Sequence, residues 1–291
     1  MRRLALPIVL CAVLGSLVLL FLLGLLLRRY LTAPAKPREG VERFKGLVLA
    51  HRGLHENPSV PENSLPAFRA AVEAGYGVEL DVQLSSDGIP VVFHDQTLER
   101  VCGLPGSTRD YPVEELAATP LFGQEGVGIP TFREVLDVIG GRVPILVEIK
   151  GEDPAFDKTC AKAAELLDDY PGEYWVESFN PLALSWFRKN RPEILLGQLA
   201  QAYLRMDKYK GKCKYFVLQH FLLNFRSRPD FLAYRIGHRD DRSFLRLLRV
   251  YGVPAVAWTV KSKDDLEKAK GVFDGVIFEG AGRPDGEEKQ A

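Results

Sequence analysis

The sequence has few cysteines, and none of them is spaced as a metal-binding or redox pair. Its 291 residues include four, at Cys11, Cys102, Cys160 and Cys213, and no C-x-x-C motif occurs. Because Cys11 lies in an apolar N-terminal run, an odd three remain for the rest of the chain. This number favours free thiols over a disulfide framework, and the spacings show no zinc cluster.

An excess of charge of one sign is lacking as well. The 38 basic residues balance the 38 acidic ones, so we expect no bulk attraction to nucleic acid and no nucleic acid partner. No G-x-G-x-x-G loop follows the first candidate strand, which leaves a dinucleotide-binding fold unsupported. With 46% hydrophobic and 26% charged residues, the chain can bury a full core, as one large domain or two small ones.

One long apolar run is present at the N-terminus. No charged residue occurs between positions 4 and 27, and a helix of that length spans the hydrocarbon core of a bilayer. We therefore predict a single-pass membrane anchor over residues 4–27. A cleaved signal peptide is the alternative, because Ala33-Pro34-Ala35 resembles a small-residue cleavage site. The apolar run is longer than a typical signal core, however, and Arg28 and Arg29 precede that site.

The segments that flank the predicted domain are polar or basic. More basic residues follow the apolar run than precede it, so the positive-inside rule favours a cytoplasmic location for the rest of the protein. Residues 28–45 contain Pro34, Pro37 and Gly40 among mixed charges, and we interpret them as a tether. A folded domain is predicted over 46–282 and a flexible tail over 283–291.

Short β-rich runs alternate with amphipathic segments throughout the predicted domain, which is typical of a parallel α/β fold. The predicted strands are 47–51, 78–83, 90–94, 145–150, 174–179, 194–199, 231–236, 255–260 and 275–279. The predicted helices are 64–74, 131–139, 155–169, 181–189, 242–251 and 263–270.

Polar side chains at the ends of several predicted strands favour a closed barrel over an open sheet. His51, His94, Glu148 and Trp258 lie at or near carboxyl ends of strands, and a (β/α)8 TIM barrel carries its site at that face. Nine candidate strands compete for eight places, and the connection from residue 82 to 90 is too short for a helix. We therefore expect an α/β TIM barrel that is irregular between its second and third strands.

Two acidic residues without a nearby counter-charge lie in the predicted second strand. Glu79 and Asp81 are two positions apart, so their side chains leave the same face of the strand. No Lys or Arg occurs between Gly77 and Asp95, so no residue close in sequence neutralises them. Like charges held side by side require a cation, and Glu148 ends another strand. We predict that Glu79, Asp81 and Glu148 bind a divalent metal ion, Mg²⁺ or Ca²⁺.

Two histidines and two cations occupy comparable positions. His51 and His94 lie at strand ends, and imidazole exchanges protons near neutral pH, which suits general acid and base catalysis, although His94 could instead be a metal ligand. Arg52 and Lys150 lie beside these groups and are suited to bind phosphate, although Lys150 could instead pair with a neighbouring carboxylate. This combination fits displacement at a phosphodiester, and Trp258 is predicted to form a wall of the same site.

Other polar residues receive a structural interpretation. Glu62 and Asn63 precede a predicted helix that starts at Ser64, so we expect them to cap or brace that helix, although either could support the site. His55 and the two remaining histidines, which belong to no cluster in the sequence, are expected in loops or on the surface.

Seven short motifs follow one another along the domain. They are HRG at 51–53, PENS at 61–64, ELD at 79–81, HD at 94–95, EIK at 148–150, SF at 178–179 and WTV at 258–260. In this order and spacing, the sequence resembles the glycerophosphodiester phosphodiesterase family over roughly residues 47–278. The resemblance implies a TIM barrel that cleaves glycerophosphodiesters to glycerol 3-phosphate and an alcohol with a divalent cation.

The resemblance also implies roles for single residues. It makes His51 and His94 the acid–base pair and Arg52 and Lys150 the phosphate contacts. The metal ligands that it implies are Glu79, Asp81 and Glu148. A glycerol hydroxyl would be the first nucleophile and would give a cyclic phosphate.

Two departures from the family pattern lie at the rim of the expected site. Leu54 replaces a frequent second glycine, and Glu279 replaces an aspartate that commonly ends the last strand. Both affect the expected headgroup preference rather than the chemistry.

Three hypotheses about function follow. The first is a membrane-anchored, metal-dependent phosphodiesterase that acts on glycerophosphodiesters or lysophospholipid-like substrates. A phosphatidylinositol phospholipase C-like lyase also pairs two histidines on a barrel, but the three acidic residues do not support it. The third is a non-catalytic lipid- or phosphate-binding module, and the presence of both histidines and all three carboxylates argues against it.

Overall fold

The structure, a computed structural model, describes residues 2–151 and 155–284. Its strands are β1 Val48–His51, β2 Gly77–Leu84, β3 Pro90–Val92, β4 Ile145–Ile149, β5 Tyr174–Ser178, β6 Leu196–Ala200, β7 Phe231–Arg235, β8 Ala255–Val260 and β9 Gly275–Phe278. Its helices are α1 Arg2–Thr32, α2 Leu65–Glu73, α3 Glu99–Cys102, α4 Val113–Ala118, α5 Phe132–Ile139, α6 Phe156–Leu167, α7 Pro181–Asn190, α8 Cys213–Gln219, α9 Asn224–Ser227, α10 Arg242–Tyr251 and α11 Lys263–Ala269. The short helices α3, α4, α8 and α9 lie in segments that the sequence pattern left unassigned.

Eight of the nine strands in the described chain close into a parallel barrel. Strand β1 pairs with β2 on one side and β9 on the other, and the order between them is β2, β4, β5, β6, β7, β8, β9. The register places His51 beside Glu79 and Asp81 beside Glu148, so polar residues at the carboxyl ends of the strands are neighbours. The fold is the TIM barrel that the sequence predicts.

The strand β3 explains the irregularity expected between the second and third strands. It runs antiparallel to β2, with Val82 opposite Val92, and lies outside the barrel. The intervening turn is closed by a hydrogen bond from Ser85 N to Ile89 O. A connection this short permits antiparallel pairing, whereas a parallel strand needs a crossover of about a dozen residues. The hairpin brings His94 to the rim of the barrel.

Two hydrophobic layers stabilise the barrel. The outer layer packs strand residues, among them Val78, Leu80 and Val82, against the surrounding helices. The inner layer fills the barrel itself and consists of Phe44, Leu49, Leu146, Trp175, Leu195, Leu199, Phe231, Ala233, Val256 and Ile277. Because side chains alternate along a strand, Glu79 and Asp81 point into the barrel between the outward-facing residues of β2. These carboxylates therefore lie above the inner apolar layer.

The N-terminal helix α1 extends to Thr32, past the predicted end at residue 27. Within it, Val13–Thr32 is long and apolar enough to cross a membrane, and a signal sequence near an N-terminus has the same character. Large apolar side chains such as Leu20, Phe21 and Leu26 are exposed along it. The helix is a candidate for the predicted membrane span.

The chain that follows α1 is attached to the barrel, whereas the sequence suggests a tether over 28–45. Arg228 Nη1 donates a hydrogen bond to Ala33 O at 3.1 Å, and Ala35 N donates to Pro229 O at 2.9 Å. Phe44 is fully buried in the inner apolar layer. Arg228 and Pro229 lie just before β7, and Phe44 lies at the amino-terminal end of the barrel. This end is opposite the face that carries the polar residues. The segment is therefore not the free linker that its proline and glycine content suggests.

Two smaller predictions concern the C-terminus and the thiols. Most of the predicted tail, residues 285–291, lies outside the described residues, while Arg283 Nε donates a hydrogen bond to Tyr76 Oη at 2.7 Å. Cys102, Cys160 and Cys213 are free cysteines, as the odd number predicts.

Candidate active site

Three buried carboxylates come together at the carboxyl-terminal face of the barrel. Glu79, Asp81 and Glu148 each offer an oxygen within 4.8 Å of the others, as the sequence predicts. Glu79 and Asp81 are only 2% and 1% exposed. Burial and the negative charges of Asp81 and Glu148 raise the pKa of Glu79 well above its usual value. Burial likewise raises the pKa of Glu148 to about 7. These shifts mark a cluster of buried carboxylates whose negative charges repel one another.

Asp81 differs from its two neighbours because cations surround it. Burial alone would raise the pKa of Asp81, but Lys150, His94 and Arg52 hold it well below its usual value. Lys150 Nζ lies 3.2 Å from Asp81 Oδ1 and 3.0 Å from Glu148 Oε1. The ammonium of Lys150, predicted as a phosphate contact, thus bridges two of the predicted metal ligands.

A fourth carboxylate, Glu177, lies beside this cluster and was missed in the sequence. It is 1% exposed, and it lies directly beside Glu148 in the register of β4 and β5. Burial and the charges of Glu79 and Glu148 raise the pKa of Glu177 well above its usual value. Its Oε2 has no hydrogen-bond partner among the described residues. Side chains alternate along β5, so Trp175 and Glu177 share one face of the strand. This alternation could have revealed Glu177, because it places a carboxylate on the inner face of a buried strand.

The HRG segment after β1 forms a tight turn that orients Arg52. Arg52 adopts φ 56° and Gly53 φ 81°, in the left-handed region that favours glycine. A Cβ on Gly53 would lie 2.8 Å from the backbone carbon of Ala67, so a side chain there would clash with α2. The turn directs the Arg52 backbone N–H to Glu79 Oε2 at 3.1 Å and brings its Nε to 3.5 Å from Asp81 Oδ2. The predicted phosphate contact therefore lies at the edge of the carboxylate cluster.

Glu62 pairs with two arginines at the site, so it takes the supporting role that the sequence left open beside the bracing of α2. Its carboxylate accepts hydrogen bonds from Arg52 Nη1 at 2.6 Å, from Arg100 Nη2 at 2.7 Å and from Asn57 Nδ2 at 2.7 Å. Burial would raise the pKa of Glu62, but the guanidinium groups of Arg100 and Arg52 hold it at about 2. Arg100, which lies in the short helix α3, was missed because no sequence pattern distinguishes it from the other arginines of the chain.

Asn63 also reaches into the site instead of only bracing α2. Its Nδ2 donates a hydrogen bond to Asp81 Oδ2 at 2.9 Å, while its Oδ1 is buried with no partner among the described residues. The capping role belongs to Ser64, whose Oγ accepts from Ala67 N at 3.3 Å.

Both predicted catalytic histidines border the carboxylates. His51 Nδ1 lies 3.3 Å from Glu279 Oε2, and His51 Nε2 lies 3.9 Å from Glu79 Oε2. Burial and the Arg52 charge lower the pKa of His51 to about 4, so the ring is neutral at pH 7. His94 Nδ1 lies 2.6 Å from Asp95 Oδ1. In both rings a carboxylate lies within hydrogen-bond distance of Nδ1.

Two further residues complete the rim. Trp258 packs edge-to-face on Phe179, with ring centroids 5.5 Å apart, and its Nε1 is buried with no hydrogen-bond partner in the described part of the chain. This placement suits the wall that the sequence predicts. His55, expected in a loop without a cluster, offers a ring nitrogen within 4.8 Å of His51 and Glu279. His55 lies in a loop as expected, but the expectation that it belongs to no cluster is corrected, because the turn at Gly53 keeps it close to His51.

A pair of partnered histidines next to both cations and carboxylates suits proton transfer during displacement at a phosphoester. A TIM barrel carries such chemistry at the face where these side chains lie. The fold and the site together define a phosphodiesterase-type enzyme.

Comparison with known sequences identifies the family. The profile of the Glycerophosphoryl diester phosphodiesterase family matches residues 51–281. A glycerophosphodiester phosphodiesterase of Caldanaerobacter subterraneus is 34% identical over 252 residues, which cover 80% of this chain and 94% of that protein. Glycerophosphodiester phosphodiesterase 1 of Rattus norvegicus is 29% identical over 287 residues, with 88% and 83% covered. The chain therefore belongs to the glycerophosphoryl diester phosphodiesterase family, as its motifs suggested.

Solved structures agree with this assignment. A phosphodiesterase of Oleispira antarctica, in complex with the product sn-glycerol-3-phosphate, superposes with a TM-score of 0.66 at 26% identity, covering 82% of this chain and 94% of that one. A glycerophosphodiester phosphodiesterase of Thermotoga maritima superposes with a TM-score of 0.61 at 29% identity, covering 80% and 94%. The chain is thus similar to enzymes over nearly the whole of its barrel.

Proposed function

We propose that this enzyme hydrolyses glycerophosphodiesters to glycerol 3-phosphate and an alcohol, with a divalent cation and the pair His51 and His94. The observation that carries the proposal is the meeting of Glu79, Asp81 and Glu148 within 4.8 Å, beside the first histidine. The product found with the Oleispira antarctica relative supports glycerol 3-phosphate as the product here.

The donor set suits a hard divalent cation. Glu79, Asp81 and Glu148 offer only carboxylate oxygens, which Mg²⁺ and Ca²⁺ both prefer. The raised pKa of Glu79 and the orphaned Oδ1 of Asn63 both indicate that a positive charge belongs between these groups. When bound, such a cation supplies charge stabilisation for the non-bridging phosphate oxygens. Arg52 is placed to contact the same phosphate from the edge of the cluster.

The two histidines receive different roles from their surroundings. His51 is neutral at pH 7 because burial lowers its pKa to about 4, so its Nε2 can accept the proton of the nucleophile. His94 then protonates the leaving alkoxide through its own Nε2, while Asp95 holds the opposite nitrogen. With a glycerol hydroxyl as nucleophile, the first step gives a cyclic phosphate and the free alcohol. Water then opens that ring with the two proton transfers reversed.

A substrate panel with product analysis tests this proposal. We expect glycerophosphocholine to release glycerol 3-phosphate. A lysophospholipid should release acylated glycerol 3-phosphate. EDTA should stop turnover, and Mg²⁺ or Ca²⁺ should restore it. Turnover that persists in EDTA would contradict the cation. A cyclic phosphate as the final product would favour the phospholipase C-like lyase, and binding without turnover would favour the non-catalytic module.

We propose in addition that α1 anchors the enzyme in a membrane, with the barrel on the cytoplasmic side. The exposed apolar surface of Val13–Thr32 supports the anchor, and the excess of basic residues after the helix supports the orientation. Removing residues 2–27 should give an active protein that needs no detergent, because the attachment to the barrel starts after this span. Recovery of the full-length gene product as a shorter, soluble chain would instead identify α1 as a cleaved signal. Protease protection in intact cells checks the orientation.

A further inference from the structure

The last turn of α1 is fixed to the barrel domain by two separate segments of the chain. Tyr251, at the end of α10, donates a hydrogen bond from its Oη to Arg29 O at 2.9 Å. Asn224, at the start of α9, donates from its Nδ2 to Thr32 O at 3.2 Å. Because α9 comes before β7 and α10 comes before β8, both contacts lie at the amino-terminal end of the barrel. The helix α1 therefore leaves the domain at that end.

The proposed membrane span sets the depth of these contacts. The hydrocarbon core of a bilayer is about 30 Å thick, about the length of 20 helical residues, and about 5–8 Å of headgroups border it on each side. A core that ends near Leu27, the last residue before two arginines, places residues 28–32 among the headgroups. Tyr30 is 55% exposed and packs on Phe225, with ring centroids 5.6 Å apart. Aromatic side chains favour this depth of a membrane.

The segments that meet at this point carry charge of one sign. Residues 28–36, 224–229 and 246–252 together contain seven Lys or Arg and no Asp or Glu, although the whole chain has no net charge. Asp230 follows the second segment directly, but it is buried and pairs with Arg188 Nη2 at 2.6 Å. The three segments therefore contribute only positive charge to the surface of the domain.

Exposed side chains of these segments surround the exit of α1, and we term them the junction surface: Arg28, Arg29, Tyr30, Arg226, Arg249 and Val250. The guanidinium of Arg228 lies over the Tyr30 ring, 5.4 Å from its centroid, and stabilises the contact between α9 and α1. Val250 is an apolar side chain that is 47% exposed next to Arg249. Basic side chains beside exposed aromatic and aliphatic ones suit contact with a lipid surface, because the apolar groups enter it while the guanidinium groups bind its anions.

We propose that the junction surface binds the headgroups of anionic lipids in the membrane that holds α1. This inference rests on the proposed anchor and not on the proposed reaction. A guanidinium binds a phosphate or carboxylate through two parallel hydrogen bonds, and the cytoplasmic leaflet carries the negative surface potential. The binding holds the amino-terminal end of the barrel against the membrane. The candidate active site, at the opposite face, stays open to the aqueous phase.

Native mass spectrometry of the full chain tests this in an uncharged detergent with EDTA, which prevents the proposed reaction from consuming lipid. Phosphatidylglycerol and phosphatidylcholine are titrated in parallel, and we expect the wild type to bind phosphatidylglycerol more tightly. Each basic residue near an anionic surface contributes about five-fold in affinity. Arg226→Gln combined with Arg249→Gln should therefore weaken phosphatidylglycerol binding by about 25-fold and leave phosphatidylcholine binding unchanged.

The matched control is Arg69→Gln combined with Arg133→Gln, which removes the same charge from exposed positions on α2 and α5. This control should bind phosphatidylglycerol as the wild type does. Arg226→Lys combined with Arg249→Lys keeps the charge and should keep most of the affinity. Thermal melting by circular dichroism establishes folding independently of the proposed reaction. If the glutamine pair melts lower than the wild type, the two single variants replace it, each with a loss of about five-fold.

Two results would contradict the inference in different ways. Equal affinity of the wild type for the two lipids, or wild-type affinity for phosphatidylglycerol in the folded glutamine pair, would overturn the junction surface alone. Recovery of the gene product without α1 would overturn the anchor, and the inference with it. Neither result bears on the hydrolysis of glycerophosphodiesters, which the substrate panel tests separately.

Discussion

Replacing His51 with alanine is expected to lower kcat for glycerophosphodiesters by a factor of about 10²–10⁴, the usual contribution of a general acid or base. The neutral ring of His51 is the proposed base, and it lies between Glu279 and Glu79. The affinity for the divalent cation should stay within a few-fold of the wild type, since His51 is not a proposed ligand. Steady-state kinetics and calorimetry on the same preparation measure both quantities.

A substrate with a better leaving group distinguishes the roles of the two histidines. A p-nitrophenyl ester of glycerol phosphate releases a phenolate that needs little protonation, so the general acid contributes little to its cleavage. His94→Ala should therefore lose much less activity on this ester than on glycerophosphocholine, whereas His51→Ala should lose activity on both. The control is His220→Ala, because His220 stacks on Phe216 and hydrogen-bonds to its backbone, away from the site. The reverse pattern would exchange the two roles, and full activity in both variants would exclude the pair from the mechanism.

Asp81→Asn is expected to destabilise the cation-free protein by about 1–3 kcal/mol, the usual cost of leaving buried hydrogen-bonding groups short of a partner, because Lys150 keeps Glu148 and Arg52 keeps Glu62 as partners. Asp81 is 1% exposed and pairs with Lys150 at 3.2 Å and with Arg52 at 3.5 Å. Without the carboxylate, the charges of Lys150 and Arg52 lose their common partner inside the barrel. The variant should also lose the stabilisation that Ca²⁺ or Mg²⁺ gives the wild type. Equilibrium unfolding in denaturant, with EDTA and with each ion, measures both effects.

An exposed aspartate provides the matched control for this substitution. Asp168 accepts hydrogen bonds from Arg191 Nε at 2.7 Å and Arg191 Nη2 at 2.6 Å on the surface. Water screens this pair, so Asp168→Asn should change the free energy of unfolding by at most about 1 kcal/mol. If Asp81→Asn were no more damaging than Asp168→Asn, the buried network would contribute little to stability.

Much of the site could be predicted because its reactive side chains lie at the ends of strands that the sequence pattern identifies. Glu79 and Asp81 are separated by one residue in an apolar strand, so strand period alone places both inside the barrel. The HRG turn is similarly local, since Gly53 adopts a conformation that suits glycine and packs closely on Ala67. Whether these residues perform the proposed roles remains for the experiments above.

Other parts of the site depend on contacts between residues far apart in the chain. Arg100 donates a hydrogen bond to Glu62, which lies 38 positions away in the chain, and no sequence pattern around either residue predicts this contact. Glu177 immediately precedes the SF motif at 178–179, and its place beside Glu148 appears only once β5 pairs with β4.

The sequence by itself determined the class of fold, the family and the apolar helix α1, because periodicity, motif order and long apolar runs are local properties of a chain. Only the tertiary structure decided that β3 leaves the barrel, that residues 33–45 pack against its amino-terminal end, and that Glu177 lies beside Glu148. The reason is physical: strand pairing, burial and ion pairing join distant residues, and their partners exist only after the barrel has closed.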